Sequence, residues 1–494
     1  MRSRDGVVAA HPGWRLRRRL HTRTAGAPAS PYLPTVAFLA ACTGAPDTPS
    51  SEPLASADPD RPNVLVVSLD TLRSDHLALY GYPHDTAPTL SAIAAEGGWM
   101  SRTWSQAPQT DGTHASMFTG RFASSHGKYT HEQRLPASEQ TFAEYFAESG
   151  YRTWAVATSL KFDEKSGFRQ GFQEYDLFPE GPVVKRGNEA LARALEQLER
   201  DEGPWLGFLH LFDVHAPYTP PSPHRELFLV GEPALDPRRT VDFIRRNKRA
   251  ASLPVAKLNT LTQLYDGGIH HVDARVAIVW EKLKASRRDT VLVLTSDHGE
   301  AFFEHRYLGH SNVLWEEVMR IPWIVWAPGR VQAGTRIDKA AQTVDLMPTI
   351  IDLAGLPPVP GQDGVSFAPA LRGDGPAPAE DRLVVLQELD RWGVIRTTAD
   401  RIWKLTIPIH PKKPTKRKKL LAGDRTSRRG ARLFDLASDP AERNNLAAAH
   451  PDVVASLTGA LADLGADDPL ARSDQRDDIT EDELEGLRAI GYVE

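Results

Sequence analysis

Asn63-Val64-Leu65-Val66-Val67-Ser68-Leu69-Asp70 emerges abruptly from a polar segment and is apolar at almost every position before its aspartate. A strand with one wet face would alternate; a continuous, β-branched run describes a parallel strand buried on both faces. Similar runs recur at Thr153–Ala157, Trp205–Phe212, Thr290–Thr295 and Ile321–Trp326. Helical patterns separate them: Leu191, Leu195 and Leu198 ahead of Gly203, then the long stretch Leu258–Leu283. Strands alternating with helices predict an α/β protein with a large, mostly parallel sheet flanked by helices.

The character changes after Gly373-Asp374-Gly375-Pro376-Ala377-Pro378, a linker of Pro and Gly. Leu383–Glu388, Trp392–Thr398 and Arg401–Thr406 then follow closely, with Ala399-Asp400 as a tight turn, and predict a small antiparallel sheet. Arg432–Leu436 adds a strand, and Val453, Val454, Leu457, Leu461 and Leu464 line one face of a helix with Pro451 in its first turn. Thr480 and Glu483 have capping-box spacing for a last short helix. Lys412–Arg432 carries ten basic residues against one acidic, Asp424, and reads as an exposed loop. The expected domains are residues 61–375, with the large sheet, and 376–494, an α+β subdomain bearing the basic loop 412–432.

At the other end, Arg15, Arg17, Arg18 and Arg19 precede a modest apolar run, Tyr32–Ala41, and Leu39-Ala40-Ala41-Cys42. A basic segment, a short hydrophobic stretch and small residues describe an export signal. Leu-Ala-Ala-Cys resembles the lipobox of bacterial lipoproteins, in which the cysteine is acylated. Residues 1–42 are therefore expected to be a lipoprotein signal segment and 43–60 a disordered tether, placing the protein at the bacterial cell envelope with membrane contact through acyl chains. Cys42 is the only cysteine, which excludes an internal disulfide framework and cysteine-rich metal sites. The 494 residues hold 59 Lys+Arg against 64 Asp+Glu, a net charge of −5 that argues against a nucleic-acid partner.

Two buried strands end in aspartate, at Leu69-Asp70 and at Ser296-Asp297-His298-Gly299-Glu300; a third, Trp205–Phe212, runs into Asp213 and His215. Ligands of parallel sheets collect beyond the carboxyl ends of the strands. Three such ends deliver carboxylates and imidazoles to one rim, a donor set for a divalent cation. Thr110-Asp111-Gly112-Thr113-His114-Ala115-Ser116 reads as a loop feeding a short helix that closes at Gly120. The N–H groups of a helix start hold an anionic ester, and a threonine hydroxyl there is a candidate nucleophile. The competing reading makes Thr110 or Thr113 a simple helix cap. Glu300 and His305 are candidates for supporting the rim, whereas His270-His271, neighbours on a helix, read as solvated or partly buried side chains.

Asn63–Asp70 with Leu72-Arg73-Ser74-Asp75-His76, Thr110–Gly120, His210–Tyr218, Ser296–Glu300, His310, Arg320-Ile321-Pro322, Asp345-Leu346-Met347-Pro348-Thr349 and Leu433-Phe434-Asp435-Leu436-Ala437-Ser438-Asp439-Pro440 stand in an order that resembles the sulfatase family of the alkaline phosphatase superfamily. The resemblance implies an alkaline-phosphatase-like fold and a hydrolase of sulfate or phosphate esters. It implies Asp70, Asp297 and His298 as metal ligands, with Thr110 completing the sphere. His215 and His310, joined by Asp213, would contact the ester or form a second metal site. His114 stands where the family has an arginine and is a further catalytic candidate. Thr110 occupies the position that Cys or Ser holds in formylglycine sulfatases, so no formylglycine is expected. A threonine ester must instead be hydrolysed by attack at the central atom, as in the family's phosphatase and phosphodiesterase relatives. Thr71 replaces the second N-terminal aspartate, and Thr158 and Lys161 stand near the place of a family lysine. A mostly carboxylate site favours calcium over zinc. The expected partner is an anionic ester. The alternative, from another class, is a catalytically idle member that binds anionic glycans or lipid head groups through the same pocket.

Overall fold

The structure, a computed structural model, describes residues 61–200, 203–409 and 430–464. The export segment, the tether, most of the basic loop and the Thr480–Glu483 helix lie outside the described residues. Among the described residues no helix is long and apolar enough to cross a membrane.

Eight strands form the main sheet: β1 (Asn63–Leu69), β2 (Gly98–Trp104), β3 (Arg152–Ala157), β4 (Glu174–Leu177), β5 (Trp205–Leu211), β6 (Thr290–Thr295) and, beyond the hairpin of β7 (Ala301–Phe302) and β8 (Leu308–Gly309), β9 (Arg320–Trp326) and β10 (Thr335–Gln342). Their order is β10-β2-β9-β6-β1-β5-β3-β4. Alternate residues of β1 enter two different apolar clusters, Val64 and Val66 one, Leu65, Val67 and Leu69 the other. That is the physical content of its unbroken apolar run: helices cover both faces. Val255–Lys284, a 30-residue helix, brings Leu261, Leu264, Ile269, Val272 and Val276 to the second cluster. Burying each such side chain contributes roughly 1.5–3 kcal/mol.

One strand corrects the expectation. β9, which includes Ile321–Trp326, pairs antiparallel with both β6 and β2, while every other pairing in this sheet is parallel. Burial on both faces does not encode direction. The connection from β6 holds only the hairpin and the four-residue helix Glu316–Met319, so no crossover helix carries the chain back.

The small sheet follows the chain, with β11 (Leu383–Glu388), β12 (Arg391–Thr397), β13 (Ile402–Pro408) and β14 (Arg432–Asp435) antiparallel in that order. Helix Pro451–Asp463 lays Val454, Leu457 and Leu461 against Trp392, Val394, Leu405 and Leu433. The opposite face of the sheet, through Leu386, Ile395 and Phe434, packs on Trp104, Met319 and Ala340. Within that contact the buried Lys404 Nζ reaches Glu316 at 2.8 Å and Glu442 at 3.0 Å. The Gln387 N–H donates to the Gln106 carbonyl at 2.7 Å, which seats the small sheet on the loop leading to Thr110.

Candidate active site

Because β1 lies between β5 and β6, the chain after each of these strands arrives at one rim. Asp70, Asp297 and His298 are fully buried there, and each offers a ligand atom within 4.8 Å of the others. The backbone is bent to make this possible. Thr71 holds φ at +61°, a left-handed conformation costly for a β-branched residue, and its N–H donates to Asp297 Oδ1 at 3.1 Å. The Tyr265 hydroxyl clamps the Thr71 carbonyl at 2.7 Å. Asp297 Oδ1 also accepts the His298 N–H at 2.9 Å. Gly299 is required by space: a Cβ would meet the Glu317 carbonyl oxygen at 2.2 Å.

Asp297 Oδ2 is buried and has no hydrogen-bond partner among the described residues, an expensive arrangement unless a cation or ligand meets it. His298 Nδ1 lies 2.9 Å from the Gly299 carbonyl, so its proton sits there and Nε2 presents a lone pair. Burial and the adjacent Asp297 carboxylate push the Asp70 carboxyl well above its ordinary range. For Asp297 burial works in the same direction, but His298, His114 and His210 outweigh it and hold the carboxylate ionised. Two carboxylates and an imidazole with ligand atoms this close are a donor set that could hold a divalent cation.

Thr110 is the first residue of helix Thr110–Thr119, entered from extended Gln109, and its Oγ1 lies 3.5 Å from His298 Nε2. The N-cap residue, Gln109, makes no side-chain capping bond. Thr113 bonds Ser105 Oγ and the Ala107 carbonyl, both at 2.8 Å. Gly120 ends the helix at φ +64°. His114, one turn on, sets Nδ1 2.9 Å from the Thr110 carbonyl and Nε2 2.9 Å from Ser68 Oγ. Burial lowers its pKa to about 4.

Several residues of the site escaped the sequence reading. His210, inside β5 opposite Ser68, points Nε2 at Asp70 Oδ2 across 3.2 Å. Its signal was a lone imidazole within an otherwise apolar strand. Asp111, beside Thr110, is fully buried between Lys128 Nζ and Lys161 Nζ, each at 3.0 Å, with His131 Nδ1 at 3.5 Å. The lysines hold its carboxylate well below the usual range against the effect of burial.

His215 and His310 do meet, with ring centroids 5.1 Å apart, and His310 lies 4.4 Å from the His298 ring. His310 Nδ1 is 3.0 Å from Glu300 Oε1, and Glu300 Oε2 accepts the Tyr218 hydroxyl at 2.8 Å. Asp213 does not join them. Its Oδ1 takes Arg275 Nε at 2.9 Å and lies 3.4 Å from His271 Nε2, because Arg275 is buried and needs a carboxylate. His305 also turns away, to Glu317 at 2.8 Å and flat against Trp315. His270 and His271 are half-buried, as their helix position implied.

A cavity of about 410 Å³ opens in front of the histidines, lined by His215, His310, Glu300, Gln109, Lys248 and Glu388 among others. Glu388 ends β11, and its carboxylate takes the Gln109 amide at 3.3 Å. Burial raises its pKa to about 7. Nothing in its local sequence distinguished it from a strand-end carboxylate.

Residues 62–356 match the protein-family model described as Sulfatase. The chain is 23% identical over 424 residues to an ulvan-active sulfatase of Formosa agariphila, covering 79% of this chain and 78% of that one. It is 26% identical over 374 residues to N-acetylgalactosamine-6-sulfatase of Canis lupus familiaris, covering 65% and 67%. Among solved structures, the phosphonate monoester hydrolase of Agrobacterium radiobacter superposes with a TM-score of 0.66 at 19% identity, over 85% of this chain and 99% of that chain. A protein solved in complex with its substrate D-glucosamine-2-N,6-O-disulfate superposes at 0.67 and 18% identity, over 84% and 100%.

Proposed function

The chain belongs to the sulfatase family, and from that premise we propose that this ester hydrolase works on sulfate or phosphate esters with Thr110 as its nucleophile and a divalent cation at Asp70, Asp297 and His298. The supporting observation is the position of the Thr110 hydroxyl, buried at a helix N-terminus and 3.5 Å from His298 Nε2, which in turn lies 3.4 Å from Asp297 Oδ2, an oxygen with no hydrogen-bond partner among the described residues. The donors fit a cation, which when bound would favour the alkoxide and offset charge on the ester oxygens.

The protein's own groups do the rest. The N–H groups of the first turn of Thr110–Thr119 face the anionic ester. Thr110 Oγ1 bonds to the central atom as the alcohol oxygen leaves, and water then displaces Thr110 at that same atom. Threonine cannot provide the aldehyde hydrate of formylglycine, so both steps break bonds to sulfur or phosphorus. His310, oriented by Glu300, and His215 border the cavity where the alcohol departs, and these imidazoles take up the proton that the Thr110 hydroxyl releases and pass it to the departing alcohol oxygen. Asp111 holds Lys128 and Lys161 as fixed positive charge behind the nucleophile. Similarity to sulfatases and to a phosphonate monoester hydrolase supports both ester classes as substrates.

The test is turnover of 4-nitrophenyl sulfate, 4-nitrophenyl phosphate and a phenylphosphonate monoester by the parent, Thr110→Ser and Thr110→Ala. Serine is expected to retain turnover and alanine to lose it. If the parent turns over none of them while Thr110→Ala binds product as tightly, the protein is a binding member of the fold. We further propose that acylated Cys42 anchors the protein in the cell envelope; Cys42→Ser should move it from the membrane to the soluble fraction, and unchanged partitioning would refute the anchor.

A further inference from the structure

The seam between the small sheet and the large one holds a group of cations that the chemistry at Thr110 does not use. A cavity of about 380 Å³ there is lined by Arg249, Arg306, Arg391 and Arg432, and among the described residues no carboxylate lines it. Strand register brings two of them together. Arg391 stands two residues before Gly393, which pairs with Thr406, and Thr406 pairs with Arg432. These positions share the face of Ile395 and Phe434, the one that packs on the large sheet. Lys404 is on that face too, where Glu316 and Glu442 meet it.

The arginines have no such partners. None of the four side chains forms an ion pair or hydrogen bond with another described residue. Arg391 Nη1 is buried and unsatisfied among those residues. Burial and the Arg432 charge lower the Arg391 pKa from its ordinary value, against the pull of Asp390. Aromatic rings hold two of the others, Arg432 at 4.7 Å over Trp315 and Arg249 at 5.8 Å over Tyr307. Such a contact fixes the guanidinium plane and leaves its N–H edge free to donate. Like charges around one hollow repel, and a buried donor without an acceptor is costly. A tetrahedral oxyanion offsets both, because its oxygens accept from several guanidinium forks at once.

This hollow adjoins the cavity in front of His215 and His310. Asn312 lines both; Lys248 and Asp390 line that cavity, and their chain neighbours Arg249 and Arg391 line this one. A substrate long enough to pass Asn312 would set one anionic group at the histidines and another among the arginines. We propose that the cavity of Arg249, Arg306, Arg391 and Arg432 binds a second sulfate or phosphate group, carried by the alcohol part of the ester that Thr110 attacks. The preferred substrate is then a multiply sulfated or phosphorylated alcohol. This rests on the reading of the protein as an ester hydrolase.

The experiment compares linear alkanediol bis-sulfates and bisphosphates of increasing length with their monoesters, as competitors of 4-nitrophenyl ester turnover. The full chain is used, as the parent and as Arg391→Gln/Arg432→Gln. At one length the bis-ester is expected to compete about 10-fold to 100-fold better than its monoester in the parent, and the variant is expected to lose that gain. A gain absent at every length, or kept in the variant, overturns the subsite. Inorganic sulfate is titrated by calorimetry into the same two proteins, independent of turnover. The parent is expected to take up one equivalent more than the variant, and equal uptake overturns the cavity as an anion site. Extra uptake without a bis-ester gain marks a site for the free ion and overturns the substrate assignment. A parent that turns over no ester overturns the hydrolase reading and the substrate assignment with it, and the titration still decides the cavity. The length series in the parent decides the subsite even where the variant fails to fold.

Discussion

Asp111→Asn removes the charge of a buried carboxylate that faces two lysines. Asp111 and Lys128 have fully buried side chains, and Lys161 is nearly so, with both ammonium groups 3.0 Å from the carboxylate. Burial lowers the affinity of Lys128 for its proton more than Asp111 restores it, so the lysine depends on this partner. Leaving buried charge uncompensated costs about 3–5 kcal/mol. Unfolding entropy near 2.1 cal/mol/K per residue over roughly 380 residues converts this to a fall in melting temperature of about 4–6 °C. Lys128→Met is expected to be milder, at most about 2 kcal/mol, because Asp111 keeps Lys161. In the Asp111→Asn background the same Lys128→Met change should restore stability, since it removes an ammonium with no counter-ion. Scanning calorimetry on the four proteins measures the cycle. Additive losses, or an Asp111→Asn shift below about 1 °C, would refute the view that this carboxylate neutralises two lysines.

Glu300→Gln should lower kcat/KM about 10-fold to 100-fold, the usual effect of losing a residue that orients an imidazole, while Tyr218→Phe should do less; steady-state kinetics with 4-nitrophenyl phosphate checks both. Asp213→Asn should leave metal content unchanged and lower the melting temperature, because its role is to neutralise Arg275; loss of metal would contradict this. Glu388 makes stability depend on pH. Its folded pKa of about 7 lies above the unfolded value near 4.5, so its contribution is complete below that lower value and disappears as pH rises through 7. Glu388→Gln should therefore flatten the decline in melting temperature between pH 5 and 8, by up to about 3 kcal/mol at the alkaline end; an unchanged slope would exclude it.

Much of this architecture was legible because burial on two faces writes a continuous apolar run, as in Asn63–Leu69, and because strand ends in such sheets carry functional groups. That pattern pointed to Asp70, Asp297, His298 and His215, a helix start to Thr110, and the resemblance to His310; in the structure these side chains lie near one another at one rim. What the sequence withheld was orientation. Asp213 follows its strand as Asp70 does, yet Arg275, 62 residues away, claims it. His210 faces the site from within a strand, where pattern alone reads a core position. Asp111, Lys128 and Lys161 meet only in three dimensions, and Glu388 reaches the cavity because the small sheet docks on the loop before Thr110. The direction of β9 depended on its connection, not on its residues.

The central claim is that the Thr110 oxygen attacks the ester. Acid quenching during turnover of a slow phosphate or sulfate ester, followed by peptide mass spectrometry, tests it directly. A phosphoryl or sulfuryl adduct on Thr110 is predicted; product formation with the adduct on another side chain, or with none trapped under conditions that trap it in Thr110→Ser, would contradict it.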